Sequence, residues 1–263
     1  MIKITKIFIA NAFVNETYKS KYGLINPILE NGKFELIPIK ERSNISGKNI
    51  LKYKEIMCYN SDESITKYFP ERNRNELSKY YVHYDPEFET YTYGDILKKG
   101  NSRSSNLKGA ENGDFLFFIA NLYKYRENTY LYNSNRFYFV GYFKIERIIQ
   151  KESGVENYSN QIKNNAHYRR YLDGFTEIGD FIIIKGDKDE SKRFLYPFKI
   201  TKDFCDTCLR DKNNYTFKWD KYHSETQCIG SYTRTIRAFL DKEKDETRWE
   251  KFWNEIKNHI LSN

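Results

Sequence analysis

The run Gly113-Asp114-Phe115-Leu116-Phe117-Phe118-Ile119-Ala120 decides the fold. Gly-Asp marks a tight turn, and the uninterrupted apolar residues after it read as a strand buried on both faces. A tyrosine-rich segment, residues 121–136, leads as a long hairpin into Phe137-Tyr138-Phe139-Val140-Gly141-Tyr142-Phe143-Lys144-Ile145. Gly141 inside that second apolar run predicts a bulge or the close approach of another backbone. These two strands are expected to pair and to form the centre of a sheet.

Outward from that centre, residues 3–14 alternate polar and apolar like a first strand. Asn31-Gly32 is a hairpin turn signal, because both positions tolerate positive φ. It would join Pro27–Glu30 to the alternating stretch Phe34–Ile39, after a loop containing Gly23 and Pro27. Ser61-Asp62-Glu63-Ser64 opens a short helix that Pro70 ends. Residues 158–171 suit one helix stopped by Gly174, and Phe181–Ile184 reads as a third apolar strand. Trp249, Phe252, Trp253, Ile256 and Ile260 follow helical spacing from about residue 245, which predicts a C-terminal amphipathic helix packed on the sheet. The expected class is α+β, with a mixed, partly barrel-like central sheet and flanking helices. No repeat or linker divides residues 1–263, so one domain is expected.

Only 39% of the 263 residues are hydrophobic, but 17% are aromatic, and tyrosine and phenylalanine bury large areas. The net charge of +8, from 44 basic and 36 acidic residues, permits a polyanionic partner without demanding one. No segment reaches the roughly 20 apolar residues that span a bilayer, and the N-terminus alternates rather than forming a leader. The expected compartment is the cytoplasm. Four cysteines in so long a chain do not make a disulfide framework. The glycine-rich phosphate and dinucleotide loops, the Gly-x-Ser-x-Gly elbow and His-Glu-x-x-His are all absent.

Chemistry concentrates in Tyr81-Val82-His83-Tyr84-Asp85-Pro86-Glu87-Phe88-Glu89-Thr90-Tyr91-Thr92-Tyr93-Gly94-Asp95. In an extended segment every second side chain shares a face, so His83, Asp85, Glu87 and Glu89 line one side, away from Tyr84 and Phe88. Carboxylates crowded beside an imidazole suit acid/base catalysis or a divalent metal. The same row suits a charged, solvated edge strand, with Pro86 at the edge. Cys205-x-x-Cys208, with His223 and Cys228 further on, could form a structural zinc site in an insert at 205–228. Lys163, His167 and Arg170 would share one helical stripe, and Arg234 and Arg237 would be neighbours near a helix start at Ser231. These cations suit phosphate, although the usual fate of such charges is a solvated face.

Several stretches together resemble the third of the nucleotide modification associated domain families. They include the opening strand with Asn11, the block from His83 to Asp95, Gly113–Phe118, Asn165-Ala166-His167, Ser191-Lys192-Arg193-Phe194 and Gly230-Ser231-x-Thr233-Arg234. The cysteine-rich insert does not belong to that pattern. The resemblance implies a role in modifying nucleic-acid bases or recognising them. A shorter likeness, Gly-Asp with its strand and hairpin and Val-Gly-Tyr-Phe-Lys-Ile, is similar to the core of PUA-like barrels. That likeness implies a reader holding a base among aromatic rings.

The expectation is therefore a nucleic-acid-directed protein, for DNA rather than RNA. In an enzyme, His83, Asp85, Glu87 and Glu89 would supply catalysis. Tyr91, Tyr93, Lys163, His167, Arg170, Arg193, Arg234 and Arg237 would bind nucleic acid. A non-catalytic reader of modified bases and a partner-binding subunit are the alternatives.

Overall fold

The computed structural model describes residues 5–97, 105–150, 154–176, 181–209 and 237–263. In chain order its strands are β1 (Lys6–Asn11), β2 (Asn26–Ile28), β3 (Ile39–Lys40), β4 (Val82–His83), β5 (Thr92–Ile96), β6 (Phe115–Arg126), β7 (Thr129–Tyr130), β8 (Arg136–Ile149), β9 (Phe181–Gly186), β10 (Lys192–Lys199) and β11 (Arg237–Asp241). The α-helices are α1 (Glu16–Tyr22), α2 (Arg74–Leu77), α3 (Ser159–Ile162), α4 (Ala166–Leu172), α5 (Lys202–Phe204) and α6 (Glu246–Leu261). Among the described residues no helix is long and apolar enough to cross a membrane.

The two apolar runs do form the longest strands, β6 and β8, and they pair antiparallel from Phe115↔Lys144 to Leu122↔Arg136. They lie inside a sheet of order β11-β1-β6-β8-β9-β5, with β10 on β8 and β2 and β7 on β6. β1 and β2 run parallel to β6 while the other pairs are antiparallel, so the sheet is mixed. It is not closed into a barrel, and the architecture is α+β. Gly141 fulfils its expected role. The ladder shifts register beside it, and a Cβ there would meet the Lys192 carbonyl oxygen at 2.5 Å and the Phe88 ring at 2.8 Å.

Alternation along β6 assigns its two faces. Phe115 and Phe117 meet α6, with ring centroids 4.6 Å from Trp253 and 5.0 Å from Phe252 respectively. Phe118 points the other way, towards Phe88, Tyr93 and Phe143. One face is thus sealed by the C-terminal helix, and the other carries the segment from His83 to Asp95. A second core of Val14, Leu24, Ile37, Tyr53, Ile65, Phe69, Leu77 and Val82 lies under the small β3–β4 ladder and fixes its position.

Three local expectations change. Residues 16–22 form α1 rather than loop, because the Asn15 side chain caps Thr17 N–H. The Asn31-Gly32 turn forms, but beyond the single Ile28↔Phe34 bridge the following stretch makes no regular strand until β3. The helix expected over 158–171 is interrupted. Asn165 is extended, and its side-chain oxygen accepts from His167 N–H at 2.9 Å and Tyr168 N–H at 3.4 Å, starting α4 afresh. An asparagine competes for backbone donors in this way, which suits it to a cap more than to a helix interior.

Candidate metal centre

Antiparallel pairing of β3 with β4 sets Ile39 opposite His83, and Glu41 N–H continues the contact by donating to the Tyr81 carbonyl at 2.8 Å. The first turn of α4 supplies His167 and, one turn on, Arg170. Asn165 ties that helix to β5 through Thr92, Nδ2 to Oγ1 at 3.3 Å. Three distant parts of the chain therefore converge on Asp85.

Asp85 is almost fully enclosed. Its Oδ2 lies 3.8 Å from His83 Nε2 and 3.6 Å from His167 Nε2, and the two imidazoles meet edge to face at 4.7 Å. Gly94 N–H donates to the same carboxylate at 2.8 Å. Gly94 also makes room for the cluster, since a Cβ there would sit 2.5 Å from His167 Cδ2. Burial pushes the Asp85 carboxyl well above its ordinary range, against the pull of the Gly94 amide, and Asp95 and Glu87 add to the rise. The ligating atoms of His83, Asp85 and His167 all lie within 4.8 Å of one another.

A supporting pair stands behind His83. Glu41 Oε2 is 3.6 Å from His83 Nδ1, and Arg170 grips Glu41 with two hydrogen bonds, Nε at 2.8 Å and Nη2 at 2.6 Å. Burial pushes the Glu41 carboxyl up, but its interactions with His83 and Arg170 outweigh this and hold it at about 2. A carboxylate on the far nitrogen of a ligating imidazole fixes ring orientation and raises ligand basicity. The whole group opens on a cavity of about 390 Å³ bordered by Tyr18, Lys40, Arg42, Tyr93 and Asp95.

This arrangement fits a divalent transition metal. Two imidazoles with one carboxylate is a common donor set for such ions and leaves coordination positions free for substrate. Bonds of about 2.1 Å in tetrahedral geometry place donor atoms about 3.4 Å apart. The observed 3.6 and 3.8 Å from Asp85 to the two imidazoles need only a small contraction, and the imidazole nitrogens, which lie within 4.8 Å of each other, would have to draw together for all three to bind one ion.

The other expected residues are placed differently. The alternation ends at Pro86, so Glu87 leaves the His83–Asp85 face. Its carboxylate closes the next turn instead, accepting from Glu89, Thr90 and Thr92 N–H and from the Thr90 and Thr92 hydroxyls. Glu89 is exposed beside a different cavity. Tyr91 packs on Phe143, and Tyr93 packs on Phe118 and borders the cavity next to His83 and Asp85. Lys163 is exposed in the turn before α4, so it shares no stripe with His167 and Arg170, which are buried and face carboxylates. Arg193 is buried between the rings of Phe34 and Tyr59. Arg237 lies in strand β11 rather than in a helix, while Arg234 lies outside the described residues. Cys205 and Cys208 are buried in the main core, and His223 and Cys228 lie outside the described residues. Glu41 carried no sequence signal. It sits in an ordinary polar stretch, Lys40-Glu41-Arg42, and only the β3–β4 pairing brings it to His83.

A family model described as Nucleotide modification associated domain 3 matches residues 13–249. Comparison with curated proteins and with solved structures gives no match.

Proposed function

The chain belongs to the nucleotide modification associated domain 3 family, and on that premise we propose that it is a metal-dependent enzyme modifying a nucleotide in DNA. His83, Asp85 and His167 would hold the ion. The observation that carries this reading is the meeting of two imidazoles and an enclosed carboxylate, from β4, the residues just after it and α4, in the lining of one cavity. A carboxylate so far from water requires a proton or a cation beside it. No lysine or arginine among the described residues pairs with Asp85.

The ion would supply Lewis acidity at an oxygen of the substrate or of water. The chain's own part is to aim it. Arg170 holds Glu41, Glu41 holds the His83 ring, and Gly94 fixes Asp85 while leaving His167 its space. At the cavity mouth, Lys40 rests over the Tyr80 ring at 4.5 Å and Arg42 is exposed, and neither forms an ion pair with a described carboxylate. They are suited to a substrate phosphate, which would set the nucleotide with its reactive part inward.

The test is incubation with modified and unmodified oligonucleotides, with and without divalent metal, read by mass. A mass change that needs metal is expected, lost in His83→Ala and Asp85→Asn variants that still fold. Binding with no mass change under any first-row metal contradicts the enzyme reading.

A further inference from the structure

Beside the candidate metal centre, on the same segment from His83 to Glu89, lies a second cavity of about 370 Å³. Tyr84 and Phe88 border it from the reverse of that segment, and past Pro86, where the alternation breaks, Glu87 and Glu89 border it too. Nothing in the metal chemistry uses it.

Its wall contains a tyrosine fixed in place yet left open. Tyr59 is 61% exposed, while the Arg193 guanidinium lies 3.7 Å from its ring centroid and is itself backed by the Phe34 ring at 4.3 Å. Arg193 donates to the Phe34 carbonyl at 2.8 Å. The loop bearing Tyr59 is pinned by the buried Glu35 carboxylate, which accepts from Tyr59 N–H and Asn60 N–H, both at 2.8 Å. So much buried polar support beneath an exposed ring produces a rigid stacking surface.

The cavity's rim carries a matched acceptor and donor. The Asn164 side-chain amide stands between them, donating to Glu89 Oε2 at 3.4 Å and accepting from Arg169 Nη2 at 3.1 Å. Carboxylate and guanidinium are thus held side by side. Arg169 spends its remaining bonds on the Lys163 and Asn49 carbonyls, makes no ion pair with a described residue, and keeps N–H groups to spare.

We propose that this cavity binds a guanine base. The ring would stack on Tyr59, Glu89 would accept from the ring N–H and exocyclic amine, and Arg169 would donate to the neighbouring carbonyl. Guanine presents two adjacent donors next to an acceptor, whereas thymine presents one donor between two acceptors and leaves the carboxylate half used. This site is independent of whether the metal centre is catalytic.

Calorimetric titration of the full chain with guanosine and thymidine monophosphates tests it. Guanosine monophosphate should bind at least about tenfold tighter than thymidine monophosphate. Tyr59→Leu and Glu89→Gln, both at exposed positions and checked for folding by circular dichroism, should each weaken it by about tenfold or more. Asp85→Asn should leave it unchanged. Equal affinity for the two nucleotides, no binding of either, wild-type affinity in the Tyr59 and Glu89 variants, or loss in Asp85→Asn would each overturn the assignment.

Discussion

Asp85 can stay between two imidazoles only because residue 94 has no side chain. Gly94→Ala would drive a methyl group against His167, so metal retention and turnover should fall far more than the melting temperature does. An intact metal content in that variant, measured by elemental analysis, would separate the glycine from the centre. Arg170 acts through Glu41. Its loss in Arg170→Ala strands a buried carboxylate and should cost about 3–5 kcal/mol in urea unfolding, while Arg170→Met combined with Glu41→Leu should recover most of that. A cost of only a few tenths of a kcal/mol for Arg170→Ala would mean the pair is not enclosed as described. Cys58 gives a pH test away from the centre. Burial first, and then the nearby Glu35 carboxylate, pushes its thiol up to about 11. The folded protein keeps this proton where the unfolded chain, near 9, has released it. Stability should therefore fall as pH rises through that interval, less so in Cys58→Ala. Iodoacetamide at neutral pH should leave Cys58 unlabelled until urea is added; labelling of the native protein at the rate of a free thiol would contradict its burial.

At the scale of elements, α6 and the His83–Asp95 segment clamp β6 from opposite sides. Phe252 is fully enclosed among Phe117, Phe139 and Phe204, so Phe252→Ala should cost about 3–5 kcal/mol by denaturant titration. Elements with strong apolar patterns were legible in the chain: the paired strands β6 and β8, the strand β9 and the helix α6. Those set by caps were not, because α1 and the break before α4 each rest on one asparagine accepting from amides two or three residues on, a local signal too small to stand out against the surrounding pattern. The site divides in the same way. His83 and Asp85 share a face through period-two alternation, which holds as far as Pro86 and then fails for Glu87 and Glu89. His167 and Arg170 stood out by spacing, but a basic spacing cannot tell a phosphate from a buried carboxylate. That distinction came from the packing of α4 against β5, and Glu41 became visible only through the β3–β4 ladder.

For the molecule as a whole, the charge of +8 permits a polyanion, and Lys40 and Arg42 border the cavity where the proposed function places its phosphate. Affinity for a DNA oligonucleotide should fall steeply between about 50 and about 200 mM salt, and more shallowly in a Lys40→Gln, Arg42→Gln double variant. The same salt slope in both would place the phosphate contacts elsewhere. Everything proposed for this cavity depends on an ion held by His83, Asp85 and His167. Loading the full chain with cobalt(II), desalting it and measuring bound metal with its visible absorption tests this most directly. Wild-type protein should retain an equivalent of cobalt that is missing from His83→Ala, Asp85→Asn and His167→Ala alike. Full retention in all three variants, or none in the wild type, would contradict it.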